Sequence, residues 1–338
     1  MGIPNHWFRS YLSDRKQCVK IGDKVSSFLD VTCGVPQGSI LGPTLFLCYI
    51  NDLSVALKCH LALYADDSAL MASGPNSGEV SDFLTAQMSK CKTWLVDNRL
   101  SLHVGKTECI LFGSSRKLKG RDFIVKCGDV VINRVMSVKY LGVNLDQHLN
   151  FREHVEGLVK KATSKLFFLY RNGANLDRGS RKLLCSALVN SGVEYCISAW
   201  YPGLLEESKN RLATLQRKMV RFVVGMGARE HVAEGDIFSL GWLPIWRRAE
   251  YFMTMHAARV KMSISPGYIA QNFVLASDAH SYGLRQHEYN FSISSCHFPV
   301  CSFTRTAIKL WNSLPSELKQ IGNIAVFRRR LKAFMKIG

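Results

Sequence analysis

The spacing of the hydrophobic positions changes along the chain at about residue 150. Before that point, short apolar stretches alternate with amphipathic stretches of helical spacing. Short strands mixed with helices are typical of α+β domains, so the pattern predicts that class. The predicted elements are a helix end and a hairpin over 7–33, a buried helix over 44–57, two short strands over 61–72, a helix over 79–98, and strands over 101–112, 123–131 and 138–145.

After residue 150 the apolar positions fall at helical spacing. Asp177 is expected to cap a second helix, a third covers 206–224, and Pro244 suits the first turn of a fourth that ends near residue 262. A loosely patterned stretch, 263–300, precedes predicted helices over 303–336. The pattern divides the chain into an α+β part (1–150), a helical part (151–262) and a C-terminal extension (263–338). The first helix has one apolar face, made of Phe151, Val155, Leu158, Ala162, Leu166 and Leu169.

The charge of the chain is strongly basic and unevenly distributed. The formal net charge is +18 at pH 7. Residues 1–115 carry ten Lys or Arg and ten Asp or Glu, so the whole excess lies after residue 115. A neutral part joined to a basic part fits a metal site beside a surface that binds a polyanion such as nucleic acid. The alternative is a basic surface that is merely solvated.

The cysteines and the apolar runs argue against several other classes of protein. Eleven cysteines are present, with neither a CxxC pair nor zinc-finger spacing. We therefore expect buried, reduced thiols in an intracellular protein, nuclear or cytoplasmic. The N-terminus lacks the pattern of a signal peptide, and the longest apolar run, 40–50, is too short to span a bilayer. No membrane partner is expected, and the oligomeric state is left open.

Two adjacent carboxylates, Asp66 and Asp67, lie between the two short strands predicted over 61–72. A turn there can bring both side chains near one centre, and like charges so close repel each other unless a cation neutralises them. Mg²⁺ is the natural cation, because it prefers hard oxygen ligands and substrate phosphates. Two such ions can align an attacking hydroxyl group and a leaving pyrophosphate. The alternative is an ordinary turn with two solvated charges.

Several blocks of sequence surround these carboxylates in a specific order. GVPQGSILGP occupies residues 34–43 and YADD occupies residues 64–67. Further blocks are WFRSYL at 7–12, NRLSL at 98–102, GKTE at 105–108, YLGV at 140–143 and WNSLP at 311–315. Together these blocks resemble the reverse transcriptase (RNA-directed DNA polymerase) of non-LTR retrotransposons, of the LINE and jockey type. The group II intron maturases are a poorer match to residues 39–43.

The resemblance implies an architecture and a set of partners. It implies an incomplete polymerase palm, with a ferredoxin-like antiparallel sheet and helices, over residues 1–150. A basic helical thumb follows over 151–262, and a C-terminal helical extension ends the chain. The reaction would be Mg²⁺-dependent nucleotidyl transfer, with an RNA template, a DNA primer and dNTPs as partners.

The resemblance also implies roles for individual residues. Asp66 would be a Mg²⁺ ligand, and Asp67 its partner, either as a second ligand or as a group behind the ligands. Lys106 would lie near the departing pyrophosphate as a charge stabiliser or a general acid. Tyr64 would pack under the primer end, although a β-strand core aromatic is an equal alternative. The wall against template and nucleotide would be Pro36, Gln37, Gly38 and Ser39. The primer side would be Tyr140, Leu141 and Gly142. The nucleic-acid grip would include Lys160, Lys161, Lys165, Arg217, Lys218 and Arg221.

The sequence departs from the family at its start. In the family a further motif, which supplies another catalytic aspartate, precedes the Gly-Ile that appears here as Gly2 and Ile3. We therefore expect an N-terminally truncated domain that does not polymerise DNA by itself, because the metal ions would share fewer ligands. Two further hypotheses remain open. The chain is either a non-catalytic RNA- or DNA-binding remnant of a retroelement or a remnant too unstable to have any activity.

Overall fold

The computed structural model describes residues 2–173, 175–279, 289–293 and 302–337. The chain divides into two compact units, Met1–Met136 and Ser137–Gly338. Helices and short strands mix in the first unit, while helices and one hairpin form the second, which agrees with the predicted α+β class. Among the described residues, no helix combines the length and the apolar character needed to cross a membrane.

The first unit contains short strands that pair two at a time. Its helices are α1 (Ile3–Leu12), α2 (Gly42–Ile50), α3 (Leu53–Ala56), α4 (Ser77–Asp97) and α5 (Ser115–Leu118), with a 3₁₀ helix at Val104–Lys106. Its strands are β1 (Arg15–Gln17), β2 (Lys20–Ile21), β3 (Lys24–Val25), β4 (Leu29–Val31), β5 (His60–Tyr64), β6 (Asp67–Met71), β7 (Glu108–Cys109), β8 (Lys126–Cys127), β9 (Val130–Val131) and β10 (Asn133–Arg134). The antiparallel pairs are β1–β4, β2–β3, β5–β6 and β8–β9, and β7–β10 is parallel. The larger palm sheet stays a prediction.

The second unit begins with a hairpin and continues with helices. The hairpin pairs β11 (Ser137–Tyr140) with β12 (Val143–Asp146). The helices are α6 (Arg152–Asn172), α7 (Arg178–Cys185), α8 (Ser191–Glu194), α9 (Ile197–Trp200), α10 (Glu206–Val224), α11 (Glu234–Ser239), α12 (Ile245–Lys261), α13 (Gly267–Ala270), α14 (Ala276–Ala279), α15 (Phe303–Asn312), α16 (Ser316–Lys319) and α17 (Ile324–Ile337), with a π-helix at Ser186–Asn190 and a 3₁₀ helix at Tyr201–Gly203.

Helix α4 organises the core of the first unit because it packs with two apolar clusters. Cys91 and Leu95 join the first cluster, with Ile50 of α2 and Leu53 of α3. Met88 joins the second cluster, which contains the loop and strand residues Phe123, Val125, Cys127 and Ile132. Burial of such side chains contributes roughly 1.5–3 kcal/mol each. The hairpins at 15–31 lie outside both clusters, and their strands are largely exposed.

One large cluster forms the core of the second unit, and the C-terminal extension is part of it. Trp311 is fully buried and stacks near Phe327 of α17, with ring centroids 5.7 Å apart. Its indole N–H donates to the Tyr289 carbonyl oxygen (2.7 Å). The Asn312 side chain both donates to and accepts from the backbone of Phe291, at 2.8 and 2.9 Å. The WNSLP block therefore ties residues 289–293 to α15 and α17.

Several predicted elements are confirmed, and others differ for local reasons. Asp177 caps α7, accepting from the N–H groups of Gly179 (2.7 Å) and Ser180 (3.0 Å). The predicted strand over 101–112 is wrong for most of its length, because residues 104–106 form a 3₁₀ turn and the strand β7 has only two residues. The predicted strand over 138–145 is a hairpin. The stretch 263–300 lies partly outside the described residues.

The prediction of buried thiols holds for only part of the described cysteines. Burial raises the pKa of the Cys185 thiol to about 12, which keeps it protonated. The exposed thiols lie on hairpins and helix surfaces without a covering core. Cys91, Cys127 and Cys185 are buried, whereas Cys18, Cys33, Cys48 and Cys196 are exposed, and all the described cysteines are free.

Candidate active site

The two predicted metal-binding carboxylates lie at the turn of the β5–β6 hairpin. Tyr64 pairs with Asp67, so Ala65 and Asp66 form a two-residue turn. Ala65 has a φ of 52°, a conformation that costs a residue with a side chain roughly 1–2 kcal/mol. Both carboxylates are exposed. The strands that carry them are held by the first apolar cluster, so the hairpin presents two negative side chains from a packed base.

The donor chemistry of this turn suits a hard divalent cation. Carboxylate oxygens are preferred ligands of Mg²⁺, which retains several waters and takes further ligands from substrate phosphates. Within the described ranges, no group of three or more His, Cys, Asp or Glu side chains could hold a metal ion. Asp66 and Asp67 offer carboxylate oxygens, the ligand type that such a cation prefers.

The structure excludes one of the two alternatives for Tyr64, and its role at the primer end stays a prediction. Its side chain is 64% exposed, so the alternative of a core aromatic is wrong. An exposed aromatic ring beside two carboxylates is available to contact a ligand.

The loop predicted to form the template wall is closed by its own hydrogen bonds. The Ser39 hydroxyl donates to the Pro36 carbonyl oxygen (2.7 Å) and accepts from the Gly42 N–H (3.1 Å). A Cβ atom on Gly42 would lie 2.9 Å from the Ser39 oxygen, so glycine is needed there. Gly38 has a φ of 80°, and the side chain of Gln37, between Pro36 and Gly38, is exposed. The loop is thus a tight turn with a free amide side chain.

Helix α2 links this loop to the carboxylate hairpin, whereas Lys106 forms no ion pair with the carboxylates in the described structure. Ile50 of α2 is buried in the same cluster against which Leu61 and Leu63 of β5 pack. Lys106 ends the 3₁₀ helix and is exposed. The Lys106 ammonium group lies more than 4.0 Å from the carboxylate oxygens of Asp66 and Asp67.

The predicted primer-side residues form the turn of the β11–β12 hairpin, which belongs to the second unit. Leu141 and Gly142 both have positive φ angles, 45° and 85°, as two-residue hairpin turns of type I′ require. Tyr195, which the sequence did not single out, donates from its hydroxyl to the Leu141 carbonyl oxygen (2.8 Å). Nothing local could have indicated this contact, because the partners are 54 positions apart.

Replacing Gly142 with Ala is expected to destabilise the second unit by about 2–3 kcal/mol. A Cβ there would lie 3.3 Å from the Tyr195 ring and would also adopt an unfavourable φ. Urea unfolding followed by circular dichroism measures the loss. The control is Gly241→Ala, at a φ of 68° with its nearest neighbour 3.9 Å away, which should cost only about 1–2 kcal/mol. Equal losses for the two variants would show that the Tyr195 contact contributes nothing.

His154 is buried beside the same hairpin. Its Nδ1 lies 3.4 Å from the Asn144 N–H of β12, and its ring meets Trp200 edge-on at 5.3 Å. Burial, and secondarily the positive charge of Lys161, lowers the pKa of His154. The imidazole is therefore a neutral packing group between α6 and the hairpin.

The predicted nucleic-acid grip lies on two neighbouring helices, α6 and α10. The helices run in the same direction, because Arg211 meets Glu156 (3.3 Å) near their N-termini and the Tyr170 hydroxyl donates to the Lys218 carbonyl (3.2 Å) further along. Three of these cations donate hydrogen bonds: Lys165 to the Leu188 carbonyl (2.9 Å), Arg217 to the Thr214 hydroxyl (2.9 Å) and Arg221 to the Glu230 carbonyl (2.8 and 2.9 Å). The exposed members of the set are Lys160, Lys161, Lys165, Arg217 and Lys218.

Comparison with known proteins identifies relatives of this chain. The family model described as reverse transcriptase (RNA-dependent DNA polymerase) matches residues 1–145. The Retrovirus-related Pol polyprotein from type-1 retrotransposable element R1 2 of Nasonia vitripennis is 30% identical over 221 residues, which cover 62% of this chain and 54% of that protein. The RNA-directed DNA polymerase from mobile element jockey of Drosophila funebris is 29% identical over 236 residues, which cover 64% of this chain and 24% of that protein.

A third relative points the same way. The Probable RNA-directed DNA polymerase from transposon X-element of Drosophila melanogaster is 25% identical over 226 residues, which cover 64% of this chain and 24% of that protein. The chain thus spans about half of the first relative and about a quarter of the other two. Reverse transcriptases use divalent metal ions and act on nucleic acid and nucleotides. Residues 1–145 thus match the reverse transcriptase family, and the chain is similar to proteins named as RNA-directed DNA polymerases and Pol polyproteins of retrotransposable elements.

Proposed function

We propose that this chain supplies the carboxylate hairpin and the nucleic-acid-binding helices of an RNA-directed DNA polymerase. The observation that supports this most directly is the exposed pair Asp66 and Asp67 at the β5–β6 turn, inside the residues that match the reverse transcriptase family. The reaction is nucleotidyl transfer: a primer 3′-hydroxyl attacks the α-phosphate of a dNTP, and pyrophosphate leaves.

Each predicted residue has one task in this proposal. Asp66 binds Mg²⁺, and Asp67 binds it too or orients its water; the metal would act as a Lewis acid on the α-phosphate. Lys106 stabilises the charge on the pyrophosphate, and Tyr64 contacts the primer end. The turn of Pro36, Gln37, Gly38 and Ser39 faces the template and nucleotide, and the turn of Tyr140, Leu141 and Gly142 contacts the primer.

The helices α6 and α10 complete the proposal as a thumb. Their exposed cations sit on helix surfaces whose opposite faces are buried, so they can contact phosphates without reading bases. Residues 1–150 then correspond to the palm. Because the substrates are nucleic acids, we place the protein in the nucleus or the cytoplasm, which a fluorescent fusion would test.

We expect that the chain alone does not extend a primer. Both carboxylates are solvated, and Mg²⁺ dehydrates reluctantly, so a pair of exposed side chains binds it weakly. The test is dNTP incorporation on an RNA template. It compares the chain alone with a fusion in which this chain replaces the matched region of the Drosophila funebris jockey polymerase. Extension by the fusion alone supports the proposal. Extension by the pure chain would show that this pair suffices, and no extension by either would contradict the catalytic role.

A non-catalytic RNA- or DNA-binding function is the second candidate. It is favoured by the exposed cations Lys160, Lys161, Arg217 and Lys218, which need no metal to bind phosphate. Ala at Asp66 and Asp67 together leaves such binding unchanged, and binding falls steeply with salt. The two candidates are therefore separated by the fusion assay and not by a binding assay.

A further inference from the structure

A cleft between α12 and α17 is lined by four arginines and one lysine. It has a volume of about 480 Å³ and lies wholly within the second unit. No Asp or Glu is among its lining residues. Its basic lining residues are Arg248, Arg259, Arg328, Arg329 and Lys332.

Helical spacing explains why these cations share one cleft. On α17, Lys332 follows Arg328 by four positions and Arg329 by three. These spacings place the three side chains on one face of the helix. Arg248 and Arg259 are three turns apart on α12. The helices run in opposite directions, because Arg247 near the start of α12 donates to the Met335 carbonyl (2.7 Å) at the end of α17, whereas Arg259 at the far end of α12 lines the cleft with Ala325 at the start of α17.

Most of this positive charge is not balanced by neighbouring carboxylates. Arg248 forms a bidentate pair with Glu194, at 2.8 Å for both contacts. In the described part of the chain, no carboxylate lies within 4.0 Å of Arg259, Arg328, Arg329 or Lys332. Burial, followed by the charges of Arg248, Lys336 and Lys182, lowers the pKa of Lys332. An anion in the cleft would relieve this repulsion.

We propose that the cleft binds the phosphate backbone of a single nucleic-acid strand, at a place separate from the cations of α6 and α10. The choice of nucleic acid as occupant rests on the proposed function. Arg328 and Lys332 are about 6 Å apart along the helix axis, so they can contact different phosphates. Neighbouring helix axes are about 8–10 Å apart, whereas the major groove of a duplex is itself about 12 Å wide. A duplex is wider than its own groove and cannot enter the space between two neighbouring helices, whereas the backbone of one strand can lie along it.

The same geometry predicts binding without sequence preference. Tyr251 is only 6% exposed, and Phe252 is covered by the Arg248 guanidinium 4.5 Å above its ring. Tyr251 is thus too buried to stack on a base, and one face of Phe252 is occupied by a guanidinium group. Contacts are therefore made to phosphates, and affinity depends on strand length and salt rather than on base composition.

The test measures binding of a labelled single-stranded oligonucleotide to the full chain by fluorescence anisotropy, between about 50 and 200 mM salt and with EDTA and no dNTP. The lining pair Arg328→Gln with Arg329→Gln is expected to weaken binding about tenfold and to lower the salt slope by about two. The matched control is Lys309→Gln with Arg330→Gln, which removes the same charge from exposed positions outside the cleft. It should change the affinity less than about twofold.

A third variant guards against loss of folding. Ala325→Glu adds a carboxylate to the cleft, and it lies in the first turn of α17, where a negative charge stabilises the helix. It should also weaken binding about tenfold. Equal effects of the two Gln pairs, or unchanged binding with Ala325→Glu, would overturn the proposal. Binding in this assay needs no catalysis, so a failure of the fusion to extend a primer leaves the cleft result standing, and the reverse also holds.

Discussion

Asp66→Asn is expected to lower RNA-templated DNA synthesis by the fused polymerase at least about a hundredfold to a thousandfold. Asn keeps the size of the side chain and removes its negative charge. The hairpin turn is exposed and its strands are held by Leu61 and Leu63, so the fold should not change. A loss in dNTP incorporation with unchanged template binding would locate the effect in metal binding. Raising the Mg²⁺ concentration should restore part of the activity, because the weakened site is then filled.

The matched control for this substitution is Asp129→Asn. Asp129 is also an exposed carboxylate at a hairpin turn, between β8 and β9 of the same unit. It should leave incorporation within about twofold of the parent, since a solvated surface charge contributes little. Similar losses for both substitutions would mean that the fusion responds to net charge. Full activity of the Asp66 variant would remove this residue from the metal site.

Trp311→Ala is expected to destabilise the second unit by about 3–5 kcal/mol. The indole is fully buried, packs against Phe327 and Phe291, and donates to the Tyr289 carbonyl. Its removal leaves a large cavity and an unpaired carbonyl oxygen. The free energy of unfolding of a domain is only about 5–15 kcal/mol, so this loss is a large fraction of it. Urea unfolding followed by circular dichroism is the measurement.

Trp246→Ala provides the comparison on the same unit. Trp246 is 40% exposed on α12, with the Arg247 guanidinium 4.9 Å from its ring. Its loss should cost about 1–2 kcal/mol, less than the loss of Trp311, because 40% of Trp246 is already exposed to water. If both substitutions cost the same, the C-terminal extension would not be part of the core in solution.

Local signals were enough to predict the parts of this fold that depend on neighbouring residues. The turn at Asp66 and Asp67 follows from apolar strands on both sides of two polar residues. Helices α6 and α10 follow from apolar positions at helical spacing, and Asp177 from its capping chemistry. In each case the deciding interactions join residues that are close in sequence.

The parts that the sequence did not predict depend on distant contacts. The strand predicted over 138–145 folds back at Leu141 and Gly142. Tyr195, which lies between α8 and α9, donates a hydrogen bond to the Leu141 carbonyl oxygen in that turn. The boundary between the units therefore precedes the hairpin, whereas the change of pattern at residue 150 follows it. The cleft between α12 and α17 brings Arg259 together with Arg328 and Arg329, about 70 positions away, so spacing alone gave no sign of it.

The WNSLP block has a consequence for how copies of such an element decay in a genome. Trp311 and Asn312 hold the core of the second unit, whereas Asp66 and Asp67 support no packing contact of the first apolar cluster. Under the proposed function, a copy that has lost catalysis but still folds and binds nucleic acid would be under selection at the first two positions and not at the second two. Among related copies, substitutions at Asp66 and Asp67 would therefore mark the loss of the reaction. Substitutions at Trp311 and Asn312 would mark the separate loss of a folded protein.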